Sequence, residues 1–146
     1  MPVSDQQAAT LRALLEGHID EHKRLLASLD RKADALGYSA LVTAAFQNAI
    51  DLRFSRDSTL DEVTEFVAQV RSHSEELRDE VDPRTAERVI IAAVGGGDVP
   101  ELSSEESNKF ALILLAELVI DSHYDEAGMD EFMVKARALA DKILLA

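Results

Sequence analysis

From Phe110 to Ile120 every residue except Glu117 is uncharged, and nearly all are aliphatic. Wound into a helix, this segment has no polar side to turn toward water, and a helix that is apolar all round must be surrounded by other elements. The rest of the chain is therefore expected to wrap it. The longest apolar run, Phe110–Ala116, falls far short of the roughly 20 residues a bilayer crossing needs, so the segment reads as the centre of a water-soluble core.

The wrapping reads as helical too. Apolar residues recur at three- and four-residue intervals between recognisable start and stop signals, and no strand is required. A first helix is expected from about Asp5 to Ala35, opened by Ser4 and Gln7 at capping-box spacing and ended by Gly37. A second, from about Ser39 to Phe54, carries Leu41, Val42, Ala45, Phe46, Ala49, Ile50 and Leu52 on one broad arc. Thr59 and Glu62 open a third, with Leu60, Val63, Phe66, Val67, Val70 and Leu77 inward. Asp82 caps a fourth, whose first turn accepts Pro83 because an N–H there would go unpaired. The triple glycine at Gly95–Gly97 ends it and reads as a helix cap and connector, since it lacks the Gly-Lys-Ser/Thr ending of a phosphate cradle. Ser103 and Glu106 open the fifth helix, and a sixth from about Met129 to Leu145 buries Phe132, Met133, Ala136, Leu139, Ala140 and Ile143.

The expected fold is thus an all-α, six-helix, single-domain bundle over residues 1–146 with the fifth helix at its centre. Its length suits one core, and 5 Phe, 2 Tyr and no Trp leave aliphatic side chains to fill it. A short internal echo, Ile50-Asp51…Phe54…Leu60-Asp61-Glu62-Val63 against Ile120-Asp121…Tyr124…Met129-Asp130-Glu131-Phe132, is what two related helix-loop-helix units plus an N-terminal helix would leave. An amphipathic hairpin pair produces the same echo by chance.

Charge narrows the partners. Of the net charge of −13, residues 1–56 contribute nothing, with seven acids against seven bases, while the remainder carries twenty-one acids against eight. Such a field repels phosphate backbones and anionic membranes. No nucleic-acid or membrane partner is therefore expected; the acidic surface either attracts a basic protein partner or simply forms a solvated face that keeps the protein in solution. With no cysteine there is no disulfide framework or thiolate site, and the N-terminus lacks the basic and apolar regions of a signal peptide; a cytoplasmic protein is expected.

The histidines are the other distinctive feature. His18 and His22 sit one turn apart in the aliphatic stripe of the first helix, and the series Leu11, Leu15, His18, His22, Leu25, Leu29 alternates steps of four and three like a short heptad seam. Such a seam docks on the other helices or pairs with a second copy. His18-Ile19-Asp20-Glu21-His22 spells the H-x-x-E-H pattern of inverted zinc peptidases, but nothing else in the chain accompanies it. Histidines at i and i+4 can nevertheless share a metal with carboxylates from a facing helix, which makes His18, His22, Glu117 and Asp121 the candidate metal ligands, with His123 nearby. The competing assignment pairs Glu117 with Arg53 or a helix-one histidine. Calcium-type loops are not present, because Asp51…Glu62 has Arg56 where glycine is required and the loop from Asp121 has Phe132 where the closing glutamate belongs. Paired helical repeats also occur in tellurite-resistance-type domains, whose acidic Asp-Gly loop signature this chain lacks.

These observations favour a non-enzymatic, cytoplasmic interaction or regulatory module whose acidic C-terminal two-thirds meets a partner, with no cofactor. The second reading is a small-molecule or metal-binding domain built around His18, His22 and Glu117. An interaction module should expose an apolar or acidic patch, whereas a ligand binder should enclose a cavity lined by the first, second and fifth helices.

Overall fold

The computed structural model describes residues 2–97 and 99–145, and all of the regular structure among them is helical. There are eight helices in the described residues, not six: α1 (Asp5–Leu15), α2 (Ile19–Ser28), α3 (Arg31–Arg53), α4 (Leu60–Arg71), α5 (Glu75–Glu80), α6 (Pro83–Val94), α7 (Ser104–Ser122) and α8 (Glu126–Leu145).

The difference arises in two places. The long first helix divides at Gly17, whose φ of +81° is left-handed. His18 N–H bonds to the Ala13 carbonyl and Gly17 N–H to that of Leu14, the crossed pair of bonds by which a glycine closes a helix. Asp30 then opens α3, its carboxylate accepting from Lys32 N–H at 2.9 Å and Ala33 N–H at 3.1 Å. Gly37 accordingly lies inside α3 and ends nothing. The second division follows Arg71, where Ser74 starts the one-and-a-half-turn α5 by accepting from Leu77 N–H. The caps expected at Ser4, Thr59, Asp82 and Ser103 are all formed, those at Ser4 and Ser103 as full capping boxes.

The hub is α3, which packs against α1, α6, α7 and α8; α7, expected at the centre, leans on α1, α3 and α6 and leaves Ile120 half exposed at its C-terminal end. One continuous core joins Leu11 and Leu15 of α1, Leu41, Ala45 and Ile50 of α3, Phe66 and Val70 of α4, Ile90 of α6, Leu114 and Leu115 of α7, and Phe132 and Ala136 of α8. Aliphatic and alanine contacts dominate, so helices approach closely. Leu52, Leu60 and Ile143, expected in the core, are exposed instead. The echoed positions share environments only in part: Val63 and Phe132 are both buried, but Ile50 is buried and Ile120 exposed, Leu60 exposed and Met129 buried.

α2 stands apart from this pattern. It packs principally on α1, and His22 is its one buried residue. No helix in the described residues is long and apolar enough to cross a membrane.

Candidate functional site

The four proposed metal ligands fall into three separate settings. His22 is buried between α2 and α1, its Nδ1 lying 2.8 Å from the Thr10 carbonyl oxygen. A carbonyl only accepts, so Nδ1 carries the hydrogen and the ring pins α2 to α1. His18, at the N-cap of α2, is exposed and makes no side-chain capping bond. It lines a groove with Glu16, His123, Asp125 and Glu126, away from the partner of its neighbour one turn on.

Glu117 and Asp121 belong to the third setting, facing the end of α4. Glu117 Oε2 is 3.1 Å from His73 Nδ1. Neither Arg53 nor a helix-one histidine is its partner; His73, just past α4, was missed because only the folded chain brings it to α7. Glu117 Oε1 is buried without a hydrogen bond. Burial pushes the Glu117 carboxyl above its ordinary range, His73 draws it back, and Asp121 adds to the rise. Asp121 accepts from Gln69 Nε2 at 3.1 Å and lies 3.6 Å from Arg53 Nη1. The Arg53 guanidinium in turn stacks 5.4 Å from the Phe66 ring, which meets Phe54 edge-on. The four residues are not brought together as a ligand set, and among the described residues no three His, Asp or Glu side chains converge in a way that could hold a metal ion.

The heptad seam is interrupted as well. Leu11 and Leu15 enter the core, whereas His18 turns to solvent after Gly17 and Leu25 and Leu29 remain half-buried.

What that interruption creates is the most conspicuous open surface of the molecule. α2 and α3 diverge from the tight connection at Leu29 and Asp30, and between them lies a cleft of 680 Å³. Its walls are Leu26, Ala27 and Leu29 on one side and Ala35 and Tyr38 on the other, with Lys23, Arg31, Asp30 and Asp34 at the edges. Leu26 is 43% exposed. An amphipathic helix ordinarily spends its apolar side on a core; α2 leaves most of that side open. Deeper in, the Tyr38 hydroxyl is buried without a hydrogen bond, and burial pushes its pKa up to about 12, so it is a neutral phenol.

The polar groups of the hairpin divide into occupied and unoccupied. Asp30 is committed to the α3 N-terminus, and Asp34 accepts from Gln7 Nε2 and from Asp30 N–H. Arg24 is paired with Glu21. Lys23, Arg31 and Lys32 join no ion pair among the described residues. Between Asp20 and Asp34 the chain carries four acids and four bases, a neutral surface on an otherwise strongly acidic molecule. The alternation of Asp20-Glu21, Lys23-Arg24, Asp30, Arg31-Lys32 and Asp34 was visible in the sequence, but an expected continuous helix concealed that it borders an open cleft.

No known protein family, no curated protein and no solved structure matches the chain.

Proposed function

We propose that the protein is a cytoplasmic, non-enzymatic interaction module that pairs with a second copy of itself across the α2–α3 cleft and directs its acidic two-thirds outward to a basic partner. The observation that carries this reading is the uncovered apolar side of α2 within the charge-balanced N-terminal part of the chain. Two molecules of net charge −13 repel one another over most approaches, and like-charge juxtaposition costs several kcal/mol. A neutral hairpin with mixed signs is the face through which that repulsion is least. In a two-fold arrangement, where residue i contacts j and j contacts i, its Lys23, Arg31 and Lys32, unpaired among the described residues, are free to meet carboxylates of the other copy. Pairing there leaves the acid-rich helices α4 to α8 on the outside of both copies, so a basic partner meets two acidic surfaces at once.

Native mass spectrometry of the full chain tests this reading. The expected result is a dimer of bare chains, and a monomer for Leu26→Glu/Ala35→Glu with unchanged helical circular dichroism. A parent that is monomeric at tens of micromolar, or a double variant that dimerises as well as the parent, overturns it.

A further inference from the structure

A second cavity lies on another side of the molecule, where α3, α6 and the start of α7 meet under the glycine connector. It holds 320 Å³, within reach of the range typical of small-molecule sites, about 300–1,000 Å³. Phe46, Val89, Ala93, Val99, Leu102 and Ala111 form its apolar walls. Its polar groups are all neutral: Ser39, Thr43 and Gln47 from α3 face Ser104, Ser107 and Asn108 from α7. In a chain that is 29% charged, no charged side chain lines this cavity among the described residues.

The polar groups are only partly used. Asn108 Nδ2 donates to Ser39 Oγ at 3.3 Å, and Gln47 Nε2 donates to the Ala93 carbonyl and to Asp51, each at 2.9 Å. These bonds hold both carboxamides in place and leave Asn108 Oδ1 and Gln47 Oε1 as acceptors. Among the described residues the Thr43 and Ser107 hydroxyls make no side-chain hydrogen bond. Thr43 and Ser104 are exposed, so the pocket is open to solvent on one side; an apolar floor with a few positioned polar groups on facing walls is what orients a small molecule. The missing ions set its preference: a charged ligand would give up water against the apolar walls and find no counterion in the lining, whereas hydroxyl and amide groups both donate to and accept from the side chains present.

We infer that this α3–α6–α7 cavity binds a small uncharged molecule with an apolar body and an amide or hydroxyl edge. The site is independent of the α2–α3 cleft, shares no lining residue with it, and stands whether or not the chain pairs.

Three probes of one shape and three charges test it: benzamide, benzoate and benzamidinium, titrated into the ¹⁵N-labelled full chain and followed by amide chemical shifts. Benzamide is expected to saturate with a dissociation constant on the order of millimolar, as a fragment of that size reaches, moving amides of α3, α6 and the α7 N-terminus. Benzoate and benzamidinium are expected to bind at least tenfold more weakly. Ser107→Phe, which fills the chamber, should abolish the benzamide shifts, and the near-isosteric Thr43→Val should weaken them severalfold while leaving the spectrum folded. Equal or tighter binding of either ion overturns the inference. So does an absence of benzamide shifts at these residues, or an unchanged affinity in Thr43→Val.

Discussion

Gly37 occupies the middle of a helix, where glycine is a poor choice, and the reason predicts a measurable inversion. In an exposed helix interior, Gly→Ala stabilises by about 1 kcal/mol. At Gly37 an alanine Cβ would lie 2.6 Å from Gln7 Oε1, 2.8 Å from Nε2 and 3.0 Å from Cδ. A glutamine side chain could normally swing aside. This one is buried and bonded at both ends: Oε1 accepts from Ser4 N–H at 3.1 Å, and Nε2 donates to Asp34 Oδ1 at 2.8 Å. Displacing it breaks the α1 capping box and the link from α1 to α3. Two bonds at about 1 kcal/mol each, plus about 1–3 kcal/mol if the amide stays buried without partners, outweigh the propensity gain. Gly37→Ala is therefore expected to destabilise by about 1–4 kcal/mol, which at this chain length lowers Tm by about 2–4 °C per kcal/mol. The control is Gln7→Ala: in that background the obstruction is gone and Gly37→Ala should stabilise by about 1 kcal/mol. Chemical denaturation of the four members of this cycle gives the coupling directly. A Gly37→Ala variant that is stabilised equally in both backgrounds would refute the reasoning.

Other expectations follow from the same buried groups. Tyr38→Phe removes a hydroxyl that has no partner and should leave stability unchanged or raise it by about 1 kcal/mol, read by thermal unfolding; a loss of more than 1 kcal/mol would show that the hydroxyl is satisfied. Glu117 has a folded pKa above its unfolded one, so its contribution is fully present below the ordinary glutamate range and is lost as pH rises through the folded value. Glu117→Gln should abolish that loss, and the stability difference between variant and parent should grow in the variant's favour from about pH 4.5 upward; parallel pH profiles would contradict it. Leu114→Ala empties a fully buried site where α7 meets the core and should cost about 3–5 kcal/mol, measured by urea unfolding.

Much of the fold was legible because it rests on local chemistry. Ser4-x-x-Gln7, Asp82-Pro83 and Ser103-x-x-Glu106 announce helix starts that the folded chain uses, and the uncharged run from Phe110 correctly marks buried helix. The errors came where one local signal competed with another. Gly17 and Gly37 each stand in apolar helical periodicity, and only tertiary contact decides between them: Gly17 has open space beside it and turns left-handed, while Gly37 is filled by Gln7 and stays helical. Reading the stop at Gly37 fused α1 with α2 and hid the cleft. The centrality of α3 was harder to read: it keeps a polar strip, with Thr43 and Asp51 exposed and Gln47 half-buried, and only the folded chain shows that four helices meet on its remaining surface. Glu117 was recognisable as a carboxylate in need of a partner. That the partner is His73, more than forty residues away, depends on how the turn after α4 is placed, which no spacing rule expresses.

A spin-label distance measurement reads out the pairing proposed for α2 and α3. The chain has no cysteine, so one introduced cysteine carries the only label. With the label at Ala27→Cys, inside the cleft, double electron–electron resonance should show strong intermolecular coupling with a narrow distance distribution. A label at Arg84→Cys on α6, outside the cleft, should give a longer distance or no coupling. Absent coupling at residue 27, or a shorter distance at residue 84 than at residue 27, would rule out pairing across this cleft.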